Sequence, residues 1–536
     1  MPTLTEDNAS EHIVTRELPI PAITTNNLEH ISECLESCSG HKFCPYPGTP
    51  ALLPTRLIDC SDPDSPRLVT TATLASESLD GTGIYAALSY VWGEGQPNRT
   101  TAQNIEDYHT LIESHLIPKT IQDGITVTHN LGVKYLWVDS FCILQDSDED
   151  KGHEIERIRI YFHNAYITIV AANAGRVSDG FLYDVPPRRI PSFKLPYPID
   201  ASTVGTMSLA KLDDDIDEFD DAVDERAWCL EERILSPRRL IFRAHALQYE
   251  CYTLSANING SSLGLQGEEF HDGYLHLPHP EEAPDIDPLK LWLDIVKEYT
   301  SRRLTKKKDK LVALAGIAEH FELVWRAMNL QTRYVAGLWT HHFPYTLLWI
   351  VSEPQSLPEV SRGPSWSWAA VNSPVDVSFN SFRSCQTTCS VERCETTLTR
   401  STNPYGEANT GFIGLHSPAV EGLIWKVGYQ DETQSNVFEH SSQQPEDNLV
   451  ENSQAFGRLI PDSLEFETER EQDVPVLVVI LAEDDALRFG LALVALSASG
   501  HYQDGIAIPQ CYRRIGYVEI PKTYSQLTAS RERHIL

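Results

Sequence analysis

The sequence predicts an α/β domain with a parallel sheet covered by helices on both faces, then a helical connector and a β-rich C-terminal region. Between about residues 84 and 250, short apolar runs alternate with amphipathic helical patterns. This order favours a parallel sheet. Residues 285–330 have helical spacing, and short β-like runs dominate from about residue 334 onward.

The first predicted strand covers residues 85–92 (YAALSYVW) and ends before Gly93. An apolar run that ends at a glycine is typical of a buried strand entering a loop. A helix is expected to begin near Pro118, with Thr120 and Asp123 spaced as a capping box.

The second predicted strand covers residues 135–143 (YLWVDSFCI), which places Asp139 inside it, and the acidic segment 145–150 is predicted to be a loop. A helix at 153–165 and a strand at 166–172 follow. The helix that contains Trp228 leads into a fourth strand at 239–242. In such sheets, ligands bind outside the carboxyl ends of the strands.

Downstream, a helix is predicted at 309–321, after a lysine run (306–308) expected on the solvated surface. Strands are predicted at 364–371, with Trp366 and Trp368 on one face, and at 477–481 and 513–520. The resulting domain hypothesis has four parts: an N-terminal preface (1–80), the α/β domain (81–250), the helical connector (251–333) and the β-rich region (334–536), which contains an acidic loop near 430–473.

Composition limits the class of protein. The 536 residues carry a formal charge of −33, from 43 basic and 76 acidic side chains, which argues against nucleic acid or an anionic membrane as partner. No run of 18 apolar residues indicates a membrane span, and the N-terminal residues lack a secretory pattern. The odd number of cysteines, 11, is typical of reduced thiols in the cytosol or nucleus, and of these we expect a cytoplasmic protein.

Four stretches resemble the fungal heterokaryon incompatibility (HET) domain. They are YAALSYVWG (85–93), IPKTIQDGITVTHNLGVKYLWVDSFCILQD (117–146), IERIRIYFHNAYITIVAANAGRVSDGFL (155–182) and ERAWCLEERILSPRRLIF (225–242). The family's usual Gln before the last Glu is Glu231 here. The resemblance implies an effector of non-self recognition that drives programmed cell death when unlike hyphae fuse.

A remoter resemblance links the same domain to TIR domains, which have a flavodoxin-like sheet. Residues 87–90 (ALSY) are similar to the first TIR strand, and Trp228-Cys229-x-x-Glu232 is similar to the TIR W-C-x-x-E helix. In TIR domains that hydrolyse NAD this Glu is catalytic. The resemblance implies Glu232 as the catalytic residue and NAD as a substrate, with no cofactor required.

Glu232 also stands out without any resemblance. It lies four residues after Trp228, on an otherwise apolar face of the predicted helix, and burying an unpaired charge costs several kcal/mol. One interpretation is a structural ion pair with Arg226 or Arg239. The other is a carboxylate at a cleft that stabilises an oxocarbenium-like ribose.

The remaining candidate binding residues are Ser89, Tyr90, Trp92, Gly93, Asp139, Cys142 and Trp228. The aromatic rings could stack on a nicotinamide or a base, and Gly93 could let the backbone approach a phosphate; the alternative is a packed core with a turn glycine. Asp139 either has a structural role or lines the binding pocket. Cys142 is either a core thiol or, with His129, His153 or His163 as base, a nucleophile.

Cys34, Cys38, His41 and Cys44 form a compact Cys/His cluster. They could supply four zinc ligands, but they are closer together in sequence than usual, and packed reduced thiols are the alternative that we favour. Three functional hypotheses remain: an NAD-hydrolysing effector, a non-enzymatic module that self-associates and recruits an unknown protein partner, and a biosynthetic accessory enzyme that uses Cys142 and a histidine.

Overall fold

The computed structural model describes residues 7–12, 24–46, 51–74, 82–96, 98–182, 192–200, 202–210, 221–243, 246–258, 277, 287–377, 384–400, 403–425, 438–440, 457–464, 474–496, 502–503, 506–507 and 511–536. The chain divides into two compact units, Met1–Leu277 and Pro278–Leu536. Each unit has its own sheet among the described residues.

The first unit is built on a mixed eight-stranded sheet. Its strands and those of two small sheets are β1 Ala51–Leu52, β2 Arg56–Asp59, β3 Arg67–Thr70, β4 Thr82–Gly83, β5 Tyr85–Ser89, β6 Tyr135–Trp137, β7 Ile167–Val170, β8 Ser192–Pro198, β9 Val204–Ala210, β10 Arg238–Phe242, β11 Leu247–Cys251 and β12 Ser255–Asn257. The large sheet has the order β12-β11-β10-β7-β5-β6-β2-β3.

The four strands at the centre of this sheet, β10-β7-β5-β6, pair in parallel. These are the four strands predicted from the apolar runs, so the parallel core is confirmed. The edges are antiparallel, because β11 and β12 extend one side and β2 and β3 the other. The sheet is therefore mixed rather than wholly parallel. The four parallel strands have the order 2-1-3-4, which is the flavodoxin-like order.

The helices of the first unit are α1 Thr25–Cys38, α2 Thr71–Leu74, α3 Ile105–Thr110, α4 Lys119–Asn130, α5 Asp139–Cys142, α6 Asp148–Ile155, α7 Ile158–Asn164 and α8 Ala227–Leu235, with 3-10 turns at Asn8–Glu11 and Ser114–Leu116. Two of these helices cover opposite faces of β5. A Cβ on Gly124 of α4 would lie 3.2 Å from Leu88, whereas the next residue, Ser89, donates a hydrogen bond to Glu232 of α8. Successive strand residues point to opposite faces, so α4 and α8 lie on either side of the sheet.

Helix α4 follows from its sequence. Ile121, Ile125 and Thr128 share one face and are buried, and the chain leaves the helix through Gly132 at φ +70°. The predicted capping box is wrong. Pro118 is the N-cap, while Thr120 donates to the Arg176 carbonyl oxygen and accepts from the Gly180 amide.

Two further boundaries differ from the prediction. The second strand ends at Trp137, so Asp139 is not inside it but begins the helical turn α5. The reason is local, because the Asp139 carboxylate accepts the backbone N–H of Ser140 at 2.7 Å and so favours a turn. The predicted helix at 153–165 is two helices, α6 and α7, and α6 begins at Asp148, inside the predicted acidic loop.

The second unit contains α9 Pro288–Ser301 and α10 Ala315–Ala327, and a nine-stranded sheet. The described strands of this sheet and of three two-stranded sheets, β13-β14, β15-β16 and β24-β25, are β13 Tyr334–Val335, β14 Leu338–Trp339, β15 Ile350–Val351, β16 Val375–Asp376, β17 Gln386–Thr387, β18 Ser390–Leu398, β19 Ala408–Trp425, β20 Phe438–His440, β21 Arg458–Pro461, β22 Val474–Glu483, β23 Leu487–Ala495, β24 Tyr502–Gln503, β25 Ile506–Ala507, β26 Cys511–Pro521 and β27 Thr528–Ile535. The large sheet has the order β17-β22-β23-β26-β27-β19-β18, with β20 beside β19 and β21 beside β26.

The predicted strands at 477–481 and 513–520 are confirmed as parts of β22 and β26. The lysine run 306–308 is exposed, as predicted, and 3-10 turns at Lys307–Lys310 and Val312–Leu314 replace the first part of the predicted helix at 309–321. Most of the predicted acidic loop at 430–473 lies outside the described residues.

The predicted strand at 364–371 is wrong. The segment forms a 3-10 turn, Trp368–Ala370, in which the Ser367 hydroxyl accepts the Ala369 amide and donates to the Ala336 carbonyl oxygen. Trp366 and Trp368 are nevertheless buried, at 0 % and 1 % exposure. Period-two spacing therefore did not distinguish a strand from a turn held by a serine hydroxyl.

Arg514 organises the interior of the second unit. Its fully buried guanidinium donates to Asp462 at 2.9 Å and to the carbonyl oxygens of Leu347 and Trp349, each at 2.6 Å. It also lies over the Trp349 ring, 3.3 Å from the ring centroid. The ion pair between Arg514 and Asp462 is therefore shielded from solvent.

We expect Arg514→Met to lower the free energy of unfolding of the second unit by about 3–5 kcal/mol, since it leaves the Asp462 charge buried without its partner. Arg513→Met, one residue earlier and partly exposed, is the matched control and should cost less than about 1 kcal/mol. Urea denaturation of both variants checks this, and equal losses would contradict a special role for Arg514.

Candidate functional site

The last residue of β5 and the middle of α8 are joined by a short hydrogen bond. Ser89 is 3 % exposed, and its hydroxyl donates to Glu232 Oε2 at 2.5 Å. Since Ser89 ends its strand, the Glu232 carboxylate lies toward the carboxyl ends of the parallel strands. This is the side of the sheet on which flavodoxin-like domains bind ligands.

The environment of Glu232 brings its titration close to neutral pH. Burial raises its pKa to about 7, although the positive charge of Arg226 and the Ser89 hydrogen bond both act to lower it, and the nearby Asp139 raises it further. A carboxyl group with this pKa exchanges its proton near pH 7, which suits a general acid or base.

A second hydrogen-bonded group lies beside the first. The Asp139 carboxylate accepts the Tyr90 hydroxyl at 2.9 Å on one oxygen and the Trp92 indole N–H at 3.0 Å on the other. The Tyr90 and Ser140 hydroxyl oxygens lie 2.9 Å apart, within hydrogen-bond distance, and burial raises the pKa of the Tyr90 phenol. Asp139 therefore fixes both aromatic side chains of the Tyr-Val-Trp segment.

Arg226 connects the two groups. It is the N-cap of α8, and its guanidinium donates to the Tyr90 carbonyl oxygen at 2.6 Å. Its positive charge acts on both Glu232 and Asp139. Of the two arginines considered as partners of Glu232, Arg239 is engaged elsewhere, in a buried ion pair with Glu250 at 2.7 Å.

Gly93 closes the loop that follows β5. Its φ is +65°, and a Cβ there would lie 2.2 Å from the carbonyl oxygen of Gly175. The loop around Gly175 packs against this segment, and the Val177 amide donates to the Trp92 carbonyl oxygen at 3.1 Å. Gly93 is thus required by backbone packing.

A small cavity lies next to Ser89. Its volume is about 20 Å³, room for about one water molecule. Its lining includes Val170, Val223 and Ile241 on the apolar side, and the polar side includes Arg233 and Arg243. This space does not accommodate a nucleotide in the conformation described.

The arginines around the cavity have acidic partners. Arg243 pairs with Asp221, and Arg233 lies 3.4 Å from Asp224. A bound phosphate would have to compete with these carboxylates for the guanidinium groups.

The structure brings together Ser89, Tyr90, Trp92, Asp139 and Glu232, with Gly93 in the adjoining loop. Trp228 is partly buried on α8. Cys229 was not among the predicted site residues, although a hydrogen bond from its side chain acts to lower the pKa of Glu232. Its helical position, three residues before Glu232, was the available signal.

Cys142 is fully buried, its sulfur accepts the Val138 amide at 3.4 Å, and burial raises its pKa to about 12. A nucleophilic thiol needs the opposite shift. Of the histidines considered as its base, His129 contacts the Cys60 carbonyl oxygen at 3.0 Å and His153 contacts Glu154 at 3.0 Å. The contacts of Cys142 are those of a core thiol.

The N-terminal Cys/His cluster differs in membership from the predicted one. Cys38, His41 and Cys44 come together with Cys251 at the end of β11, and their ligand atoms all lie within 4.8 Å of one another. Cys34 is outside this group, one turn earlier in α1. Local spacing could not indicate Cys251, which is 210 residues from His41 in sequence.

Four parallel strands in the flavodoxin-like order, with a carboxylate beside their carboxyl ends, define a doubly wound α/β domain. Residues 85–232 match the family described as heterokaryon incompatibility protein (HET). The chain therefore contains a heterokaryon incompatibility (HET) domain, and the matched segment runs from the first residue of β5 to Glu232. No curated protein and no solved structure matches this chain. Among the described helices, none has the length and apolar character needed to cross a bilayer.

We expect Gly93→Ala to destabilise the first unit by about 2 kcal/mol or more, because it combines a left-handed backbone with a clash against the Gly175 carbonyl group. Gly95→Ala is the matched control, since a Cβ there meets no atom within 4 Å. Thermal unfolding of both variants checks this, and similar midpoints for the two would contradict the packing argument.

The raised pKa of Glu232 also predicts how stability depends on pH. Between the ordinary value of 4.5 and about 7, the unfolded chain has lost the Glu232 proton while the folded chain keeps it. The contribution of Glu232 to stability is therefore complete below about pH 4.5 and is lost as pH rises through about 7.

Glu232→Gln removes this titration. We expect the free energy of unfolding of the variant, minus that of wild type, to rise by at most about 3 kcal/mol when the pH is raised from about 5 to about 8. Urea denaturation at both pH values measures the gain, with the exposed Glu225→Gln as control. A pH-independent difference between wild type and Glu232→Gln would show that the carboxyl group titrates normally.

Proposed function

We propose that this protein is an effector of heterokaryon incompatibility whose HET domain cleaves the bond between nicotinamide and ribose in NAD, with Glu232 as the catalytic carboxylate. The observation that carries the proposal is the position of Glu232. It lies toward the carboxyl ends of parallel strands in the flavodoxin-like order, accepts a hydrogen bond from Ser89 at 2.5 Å, and has a pKa of about 7. The resemblance of W-C-x-x-E to the helix of NAD-hydrolysing TIR domains supports the same residue.

A single carboxyl group is sufficient for hydrolysis of the nicotinamide–ribose bond. The C1′–N bond breaks and its electron pair leaves with neutral nicotinamide, so the ribose passes through an oxocarbenium-like state that an ionised Glu232 stabilises. Water then adds its oxygen to C1′ and gives up a proton, which Glu232 accepts as general base before releasing it to solvent. The products are nicotinamide, ADP-ribose and a proton.

The closed geometry adds a requirement. The cavity beside Ser89 has a volume of only about 20 Å³. The nicotinamide ribose therefore reaches Glu232 only after the hydrogen bond between Ser89 and Glu232 breaks and the side chains that line the cavity separate. The conformation described is then a resting state, and an activating event must open it. Trp92 and Tyr90, held by Asp139, lie at the end of β5 where they can contact the base or the nicotinamide ring.

A second candidate function has an observation of its own. The cavity is small and the carboxyl groups of Glu232 and Asp139 have hydrogen-bond partners in place, as expected of a scaffold. In that case the domain acts by self-association and recruits a protein partner. Glu232 then holds α8 against β5 and performs no reaction.

Nicotinamide release from NAD by the purified full-length chain tests the first proposal. We expect release that rises with protein concentration or deliberate clustering and with pH up to about 7, and a loss of at least about 100-fold in Glu232→Gln. Glu231→Gln, which restores the residue usual in the family, is the matched control on the same helix and should retain activity.

No release from concentrated or clustered wild-type protein would refute the enzymatic proposal. The self-association candidate makes the opposite prediction for cells. If Glu232→Gln folds and oligomerises normally yet still kills cells on over-expression, signalling does not need the reaction. Loss of killing with unchanged folding and oligomeric state favours the enzyme.

A further inference from the structure

The side chains of Cys38, His41, Cys44 and Cys251 converge at one end of the first unit. Cys38 ends α1, His41 and Cys44 follow in the next turns, and Cys251 ends β11. The three cysteines are 0 %, 8 % and 4 % exposed. From these residues we infer that the first unit binds a structural zinc ion through Cys38, His41, Cys44 and Cys251.

The spacing of the ligand atoms fits a tetrahedral ion. With Zn–S near 2.3 Å and Zn–N near 2.0 Å, a tetrahedral site places a nitrogen and a sulfur ligand about 3.5 Å apart. His41 Nδ1 lies 3.7 Å from Cys44 Sγ and 3.4 Å from Cys251 Sγ. All four ligand atoms lie within 4.8 Å of one another, so a small inward movement completes the coordination shell.

The groups around the sulfur atoms are hydrogen-bond donors. The Leu254 amide donates to Cys251 Sγ at 3.2 Å, and Arg238 Nη1 lies 3.9 Å from Cys38 Sγ. The Thr253 hydroxyl lies 3.7 Å from Cys44 Sγ. Donors directed at ligand atoms are typical of the outer shell of a metal site, where they stabilise thiolates.

The charges also balance. Three thiolates and Zn²⁺ sum to −1, and buried Arg238, 4 % exposed, supplies the compensating positive charge. Its guanidinium is held in place by the carbonyl oxygens of Pro45 and Tyr166, each at 2.6 Å. Without a cation, three thiolates in this buried position would be strongly unfavourable.

A Cys₃His set of this kind is closed and structural, because all four tetrahedral positions come from the protein. Thiolate ligands favour zinc over hard cations such as Mg²⁺ or Ca²⁺. The ion would join the N-terminal helix to β11, the second strand from one edge of the sheet, across a sequence separation of 210 residues between His41 and Cys251. Such a link restrains the long intervening chain, which contains the whole HET-matched segment.

Metal analysis of the full-length protein, purified with reductant and without chelator, tests this inference. We expect about one zinc per chain by mass spectrometry, and Co²⁺ exchanged into the site should give the visible absorption of tetrahedral thiolate coordination. Cys251→Ser should lose most of the zinc. Cys34→Ser is the matched control, since Cys34 is a buried cysteine of the same helix, and it should keep the full content.

Three outcomes would overturn the inference. One is wild-type protein that holds no zinc and takes up no stoichiometric Co²⁺. Another is equal zinc loss in Cys34→Ser and Cys251→Ser. The last is an intact mass two hydrogens lower under non-reducing conditions with a disulfide among the four residues in the protein as isolated. The wild-type measurement decides the matter even if a variant fails to fold.

Discussion

The hydrogen bond between Ser89 and Glu232 joins residues 143 positions apart, and the candidate site depends on it. It forms because β5 lies at the centre of the parallel core and α8 covers the face toward which Ser89 points. The same core explains the Asp139 group. Ala87 of β5 is paired with Trp137 of β6, so the segments that leave these two strands, with Tyr90 and Asp139, emerge side by side. Parallel pairing thus gathers at one edge side chains that are far apart in sequence.

Much of this arrangement could be predicted from the sequence, because buried parallel strands are nearly continuous apolar runs. The runs that start at Tyr85 and Tyr135 were therefore visible. The outer strands β2 and β3 were not visible, since both are short and β2 contains the polar residues Arg56 and Asp59. Their burial depends on partners elsewhere in the chain, including the Arg56–Asp150 ion pair at 2.5 Å. Asp139 was misplaced for a related reason, because one side-chain hydrogen bond to its neighbour's amide converted an apolar run into a turn.

The Cys/His group shows the limit of local spacing. Cys34 and Cys38 are one helical turn apart, so sequence alone gives no reason to separate them. In the structure the two cysteines are separated because α1 ends at Cys38. The chain then turns and brings His41 and Cys44 toward β11, whereas Cys34 stays outside the group. The fourth member, Cys251, ends β11, whereas the predicted helical connector began at this residue. A set of ligands completed by tertiary structure can be recognised only after the sheet is assembled.

The candidate site at Glu232 and the proposed zinc site at Cys38 are connected by the segment that leads from α8 into β10. Arg238, which begins β10 opposite Cys251 in register, contacts the Cys38 sulfur, and Glu232 lies just before it on α8. Between them, the Ser236 hydroxyl donates to the Glu232 carbonyl oxygen at 2.6 Å and contacts Thr168 of β7 at 2.7 Å. An ion that fixes Arg238 would therefore also restrict the end of α8. The amino ends of the strands would then stay rigid, while any opening needed to admit a ligand would be confined to the carboxyl ends, where Ser89 and the loop of Gly93 lie.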